Sequence, residues 1–400
     1  MLIAAHVLAL AALLVSFTNG RPRFPAYRVD LDVYRLGSAV LLHGGALYGT
    51  LPSTQDGQHL PFTYPPFAAI LLSPLTLMPY WTAGVVMTLL TLGLAAVVLV
   101  VVLRSLDALP TGSRRWVVLG ALLLLAEVVE PLRTAVYAGQ VDVLLMALVA
   151  LDVLVDTPRW PRGLLVGLAA ALKLTPAVFV LYFLLRRDRR AAAVAGLSFL
   201  VATGIGFLCA GSDSVRYWTG LVFDDTRIGD PAYASNQSWL GMLTRTGLPA
   251  TQRTELWLAL AAVTVALTVV GMRRALAARQ HTVALGLNAV CGLLISPISW
   301  SHHWVWVVVV LPGWIVLGRR TGRRLPLVLG YGGLALFLAA PQWWWPYGGG
   351  AEHGWNVVQQ LTGASYVYYG AALLAAFAIR SGPVPTRTDA QRVKMVSSVL

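Results

Sequence analysis

Long apolar runs separated by short polar breaks make up most of this chain. A helix needs about 20 apolar residues to cross the hydrocarbon core of a bilayer. Runs of that kind occur at 2–19, 81–103, 116–132, 140–156, 191–210, 253–272, 282–298, 303–317, 325–340 and 363–380. Two further runs, 66–79 and 163–185, are apolar but broken by proline. The pattern predicts an all-α, polytopic membrane protein with about 10 full spans plus short or broken helices, about 12 in total. No internal repeat or soluble domain interrupts it, so residues 1–380 read as one multi-pass membrane domain and 381–400 as a tail. The first run lacks the basic flank and small-residue cleavage site of a signal peptide and reads as a transmembrane helix.

The polar breaks orient the chain. "RRDRR" (186–190), "RRALAAR" (273–279) and "RRTGRR" (319–324) are strongly basic, which assigns them, with the tail and both termini, to the cytoplasm. Loops 20–66, 211–252 and 341–362 then lie outside. Their seven arginines face seven aspartates and one glutamate, a balance unlike that of the basic side. Loop 104–115 carries Arg104, Arg114 and Arg115 and belongs with the cytoplasmic set, which three full spans before "RRDRR" would not allow. The parity is restored if Lys173 and Pro176 split 163–185 into two short helices that enter and leave on the cytoplasmic side. Irregular backbone at that depth must be buried in protein or line a wet cavity, which makes Lys173 a functional-site candidate. The competing solution makes 66–79 a short span.

Composition agrees with the pattern. The 400 residues are 57% hydrophobic and 12% charged, with mean hydropathy +0.69, against about 25% charged in soluble proteins. The net charge of +13 sits in loop clusters rather than on a face, so it marks membrane topology and not nucleic-acid binding. Cys209 and Cys291 both fall in apolar runs, which excludes a disulfide framework or a cysteine metal site.

Nearly all polar chemistry gathers in the outer segments. "YRVDLDVYRLG" (27–37) places Asp30 and Asp32 at the start of an amphipathic surface helix ending near Gly44-Gly45. Acids separated by one residue cannot both point from a helix into one cavity, so only one is central. Tyr64-Pro65-Pro66 forms a rigid corner. "EPLRTAVYAGQVDVLL" (130–145) brings Glu130, Arg133, Gln140 and Asp142 to the mouth of two helices, with Gln140 and Asp142 balanced between helix capping and substrate contact. Arg227, Asn236 and Gln237 mark the second loop, and "SPISWSHHWVW" (296–306) carries His302 and His303. No local spacing of His, Cys and carboxylate suggests a metal site.

In order, "DLDVYRLGSAVLLHGGALY", "LPFTYPPFAAILL", "EPLRTAVYAGQVDVLL", "LKLTP", "NQSWLG" and "SPISWSHHWVW" resemble glycosyltransferase family 87, the polyprenol-phosphate-sugar-dependent enzymes of mycobacteria and their relatives. The resemblance implies a GT-C fold, an α-1,2-mannosyltransferase acting on mannosylated phosphatidylinositol or lipoglycans, and an essential aspartate in the first outer loop. That aspartate corresponds to Asp30, with Asp32 the secondary candidate. It further implies inverting transfer from a polyprenyl-phosphate mannose without a metal or other cofactor. His302, His303, Lys173, Arg133 and Arg227 are then candidates for the donor phosphate, and Gln140, Asn236, Gln237 and Tyr64 for sugar hydroxyls. The family also contains an arabinofuranosyltransferase, which leaves polyprenyl-phospho-arabinose as an alternative donor. A flippase for a lipid-linked sugar would share the helix pattern, but polar residues concentrated in outer loops fit it less well.

Overall fold

The computed structural model describes residues 16–18, 21–23 and 26–379. The tail 381–400 lies outside these residues, as does all of the expected first span except Ser16–Thr18. Those three residues do not continue a helix: Ser16–Thr18 (β1) pairs antiparallel with Arg21–Arg23 (β2). The sequence between them is Asn19-Gly20, a strong two-residue hairpin signal.

Seventeen α-helices follow among the described residues. The first five are α1 (Val29–Leu42), α2 (Pro66–Leu72), α3 (Tyr80–Ser105), α4 (Arg114–Val128) and α5 (Glu130–Ala138). Next come α6 (Asp142–Leu154), α7 (Leu164–Leu172), α8 (Val180–Leu185), α9 (Arg189–Cys209), α10 (Gly211–Thr219) and α11 (Trp239–Arg245). The rest are α12 (Ala250–Ala277), α13 (His281–Ile295), α14 (Val307–Thr321), α15 (Arg324–Ala339), α16 (Val357–Gly363) and α17 (Ser365–Ala378). Every expected span from 81–103 onward overlaps one of them. Among the described residues, however, five helical segments are long and apolar enough to cross a bilayer, or six if α16 and α17, bent by 58°, count as one. The others are short because turns end the helices before the apolar runs end. The 13 residues of α6 reach only about 20 Å at ~1.5 Å per residue, against a core of about 30 Å.

The outermost helices turn apolar side chains outward. Leu197, Leu200 and Leu208 on α9, and Leu258 and Val263 on α12, are all more than half exposed. Such surface is stable only against lipid. The structure therefore describes a membrane protein whose long helices shield shorter ones within.

The polar loops meet at one end. Leu47 N–H donates to Asp213 Oδ2 at 2.9 Å and Ala234 N–H to Glu352 Oε1 at 3.0 Å, tying the second loop to the first and third. At the opposite end Arg320 donates to Leu106 O and to Asp107 O, and Thr282 donates to Ser105 Oγ at 3.0 Å. There the Tyr182 hydroxyl also lies 2.8 Å from His281 Nδ1.

Segment 163–185 is a hairpin that begins and ends at the arginine-rich end. Helix α7 lies along α9 with Gly163 beside Ala191 and Gly167 beside Ala195 and Ser198. A Cβ at Gly163 would stand 2.0 Å from Ala191 O, so glycine is what permits this close approach. After α7 the backbone opens at Lys173 (φ −150°, ψ 125°) and turns back through a 3-10 segment, Thr175–Phe179, into α8. Segment 66–79, by contrast, keeps both ends near the loops: Pro66 packs beside Gly206, and Tyr80 bonds Arg28.

Candidate active site

The site grows from the start of α1. Arg28 caps it and is fully buried, donating to Ala26 O and Thr88 Oγ1, each at 2.8 Å. Its backbone N–H donates to Tyr80 Oη at 2.6 Å, and the Tyr80 hydroxyl donates to Arg28 O at 3.0 Å. These bonds fix the first turn of α1 against α3. On the other side α5 ends at Gly139 (φ 75°), where an added Cβ would lie 2.8 Å from Leu31 Cβ and 3.1 Å from Arg28 Cβ. Only glycine suits both the left-handed backbone and the contact. The turn it makes delivers Gln140 to α1.

Asp30 and Asp32 part company here. The Gln140 side chain hydrogen-bonds Asp30, and Lys173 and Asp142 are close enough to act on its charge. Surrounding protein pushes the Asp30 carboxyl up to about 6, with the Gln140 bond and the Lys173 ammonium pulling the other way. Asp32 instead accepts from Gln55 N–H at 2.8 Å and from the Tyr27 hydroxyl at 3.4 Å, clasping the loop.

Gln140 Oε1 accepts from Tyr34 at 2.8 Å and Tyr64 at 3.0 Å, and the two hydroxyls lie 2.9 Å apart. Burial raises the pKa of both phenols, so they stay protonated donors. Lys173 Nζ stands 5.4 Å from the centre of the Tyr64 ring. The same ammonium lies 2.9 Å from Asp142 Oδ1 and 2.9 Å from His303 Nε2. His302 completes the group, with its Nε2 3.8 Å from Asp142 Oδ2 and its ring 4.7 Å from that of His303. The N-cap of α6 is Val141, and Asp142, the first residue of the helix, turns its carboxylate to Lys173.

The turn carrying the histidines is clamped from behind. Asn236 donates to Pro231 O at 3.0 Å and Pro297 O at 3.2 Å and accepts from Ser299 N–H at 2.9 Å. Gln237 donates to Ala234 O and Gly363 O, while its own N–H donates to Ser299 O at 2.8 Å. Glu130 accepts from Ser301 at 2.6 Å, Trp343 at 2.8 Å and Tyr366 at 3.0 Å. Arg227 stands farther off, donating to Phe62 O and covering the Tyr48 ring at 5.8 Å. Arg133 is exposed, and its charge falls on Tyr366.

Of the sequence candidates, the structure thus gathers Asp30, Tyr64, Gln140, Lys173, His302 and His303 in one place. Asp32, Arg133, Arg227, Asn236 and Gln237 lie around it with other partners. Asp142, balanced in the sequence between capping and substrate contact, joins the centre, as does Tyr34 of the first loop, which was not among those candidates. A small cavity opens beside the centre, reached by Asp142, Lys173 and His303. Its lining combines those three with apolar side chains, among them Leu145, Phe179 and Trp306, and with Thr175, Ser296 and Ser299. A partly solvated carboxylate near a partly buried ammonium that itself lines an adjoining cavity suits proton transfer beside an anionic group.

Comparison with known proteins decides the family. The model of glycosyltransferase family 87 matches residues 62–297, more than half of the chain. The chain belongs to glycosyltransferase family 87. It is therefore a glycosyltransferase. It is 41% identical to the polyprenol-phosphate-mannose-dependent alpha-(1-2)-phosphatidylinositol mannoside mannosyltransferase of Mycobacterium tuberculosis, over 87% of this chain and 84% of that one. The Mycolicibacterium smegmatis protein of the same description is 40% identical over 89% and 84%. A phosphatidylinositol pentamannoside mannosyltransferase of the latter organism is 37% identical over 86% and 81%. The family match includes Tyr64, Gln140, Asp142 and Lys173, whereas Asp30 and the two histidines lie outside it and reach the same centre through the fold.

Proposed function

We propose that this enzyme transfers mannose from a polyprenyl-phosphate mannose to a mannosylated phosphatidylinositol or related lipoglycan, forming an α-1,2 linkage on the extracytoplasmic face of the plasma membrane. The observation that carries the reading is the meeting of Asp30 with Gln140 and Lys173, the last of which also lines the neighbouring cavity. The relatives named above support the donor and acceptor class. The architecture is read as GT-C, with about 10 spans; the basic loops and both termini lie in the cytoplasm, in keeping with their arginines.

In this mechanism the acceptor hydroxyl approaches Asp30 as the lipid phosphate rests against Lys173 and His303. The acceptor oxygen attacks the anomeric carbon, and its proton passes to Asp30. The bond from that carbon to the phosphate oxygen breaks, and the electron pair leaves with the polyprenyl phosphate. Lys173 opposes the charge that develops there. One displacement inverts the anomeric centre. Tyr64 and Gln140 orient sugar hydroxyls, while His302 and Arg227 border the donor. Asn236 and Gln237 act through the turn they hold, and Arg133 through the Glu130 region. The reaction calls for no cofactor.

The test incubates purified enzyme with polyprenyl-phospho-mannose and a mannosylated phosphatidylinositol, with polyprenyl-phospho-arabinose as a parallel donor. Transfer of mannose in an α-1,2 linkage is expected; arabinose transfer or flipping without transfer would overturn the reading. Asp30→Asn should cut turnover by about 10²–10⁴-fold, while Asp32→Asn should stay active.

A further inference from the structure

Asp142, His302 and His303 form an arrangement that elsewhere holds a metal ion. One ligand atom from each lies within 4.8 Å of the other two. Two imidazoles and a carboxylate with an open fourth position are a familiar set for zinc and its neighbours. Yet an ammonium already stands among them. Lys173 Nζ is 2.9 Å from both Asp142 Oδ1 and His303 Nε2. Those are hydrogen-bond separations, longer than the ~2.0–2.2 Å of coordination bonds. The group is thus sized for an ammonium, and contraction by about 1 Å would fit it to a metal.

Two further observations support this reading. Asp142 Oδ2 and His302 Nε2 are buried and face one another at 3.8 Å, and neither has a hydrogen-bond partner among the described residues. Lys173 satisfies only part of the ligand set. In addition, two carboxylates, Asp142 in contact and Asp30 nearby, act on this one ammonium. Removing it leaves unbalanced negative charge at low dielectric, where a cation is held strongly.

We propose that Lys173 is a tethered replacement for a metal ion, filling a cation site made by Asp142, His302 and His303, and that deleting its side chain unmasks a site for a divalent transition metal. The inference rests on the functional reading only for its purpose, a fixed positive charge beside the donor phosphate. The site itself is a matter of ligands and space.

The test uses full-length protein in lipid nanodiscs and measures metal binding, not sugar transfer. Co²⁺ absorption and Zn²⁺ calorimetry are recorded for the wild type, Lys173→Ala and Lys173→Ser. Each variant is expected to bind one equivalent, with tetrahedral Co²⁺ absorption that EDTA removes, and the wild type none. Adding His303→Ala or Asp142→Asn to either variant should abolish binding. The proposal is overturned if the wild type binds a metal that depends on His303. It is equally overturned if a Lys173 variant with the wild-type melting temperature binds none. The serine variant decides should the alanine variant fail to fold. Failure to transfer mannose would leave the metal result standing, and the reverse also holds.

Discussion

Asp30 and Asp32 stand two residues apart on α1 and serve different neighbours: Asp30 faces Gln140, while Asp32 accepts the Gln55 N–H at 2.8 Å. The difference should appear in the pH profile of transfer. A general base works only when ionised, and Asp30 is held near pH 6. Accordingly kcat/KM should be level above that point and fall about tenfold for each pH step of one below it. Asp32→Asn should keep this acid limb. A wild-type profile flat down to pH 4 would remove Asp30 from the role.

Stability should move the opposite way. Burial raises the Asp30 pKa from 3.8 to about 6, so the folded protein disfavours the carboxylate. An acid whose folded pKa is raised contributes least above that value; the associated stability is present below pH 3.8 and is lost as pH rises toward 6. Asp30→Asn removes that cost at neutral pH. The inactive variant is expected to melt at or above the wild-type temperature at pH 7, with the gap narrowing near pH 4. A clear loss of stability at pH 7 would mean that the carboxylate serves the fold.

Gln140 tunes the same group. Its Oε1 is occupied by Tyr34 and Tyr64, which leaves the amide N–H to Asp30. That bond favours the ionised form, so Gln140→Leu should push the acid limb above pH 6 and lower the rate at pH 6 by up to about tenfold. Turnover at pH 8 should recover more than turnover at pH 6. Equal losses at both would show that Gln140 acts only on substrate binding.

Much of this was legible in the residues. The apolar runs located the longer helices from 81–103 onward, and Lys173 with Pro176 marked the broken hairpin. What the sequence did not carry was pairing over distance. Lys173 meets residues 31 and 130 positions away, so no local spacing announced the Asp142–His302–His303 group. Asp142 looked equally like a helix cap in the sequence; the fold puts Val141 at the N-cap and turns the Asp142 carboxylate to Lys173. Helix length was also hidden, since hydropathy continues through turns that end a helix early, as at Ser296–Trp300 after α13.

Gly139 offers a test of the geometry under the site. Gly139→Ala adds a methyl 2.8 Å from Leu31 Cβ at φ 75°. The strain and the displaced α1 turn should destabilise the enzyme by about 1–3 kcal/mol and lower turnover, because Gln140 no longer meets Asp30 squarely. Thermal melting and transfer measured together check this, with loss of both expected. A wild-type melt with full activity would show that the α5–α6 turn adapts freely.

Asn236 separates a structural role from sugar contact. Its amide is saturated by Pro231 O, Pro297 O and Ser299 N–H, all in segments that hold the histidine turn. Asn236→Ala leaves the buried Ser299 N–H and the half-buried Pro231 O without that partner, while Pro297 O keeps the Ser238 hydroxyl; each group left unsatisfied costs about 1–3 kcal/mol. The melting temperature should fall distinctly. In the folded fraction kcat should drop as His303 loses its place against Lys173, while KM for the lipid donor stays close to wild type. A raised donor KM with an unchanged melt would instead make Asn236 a sugar ligand, and its hydrogen bonds to the loop would then have to open when substrate binds.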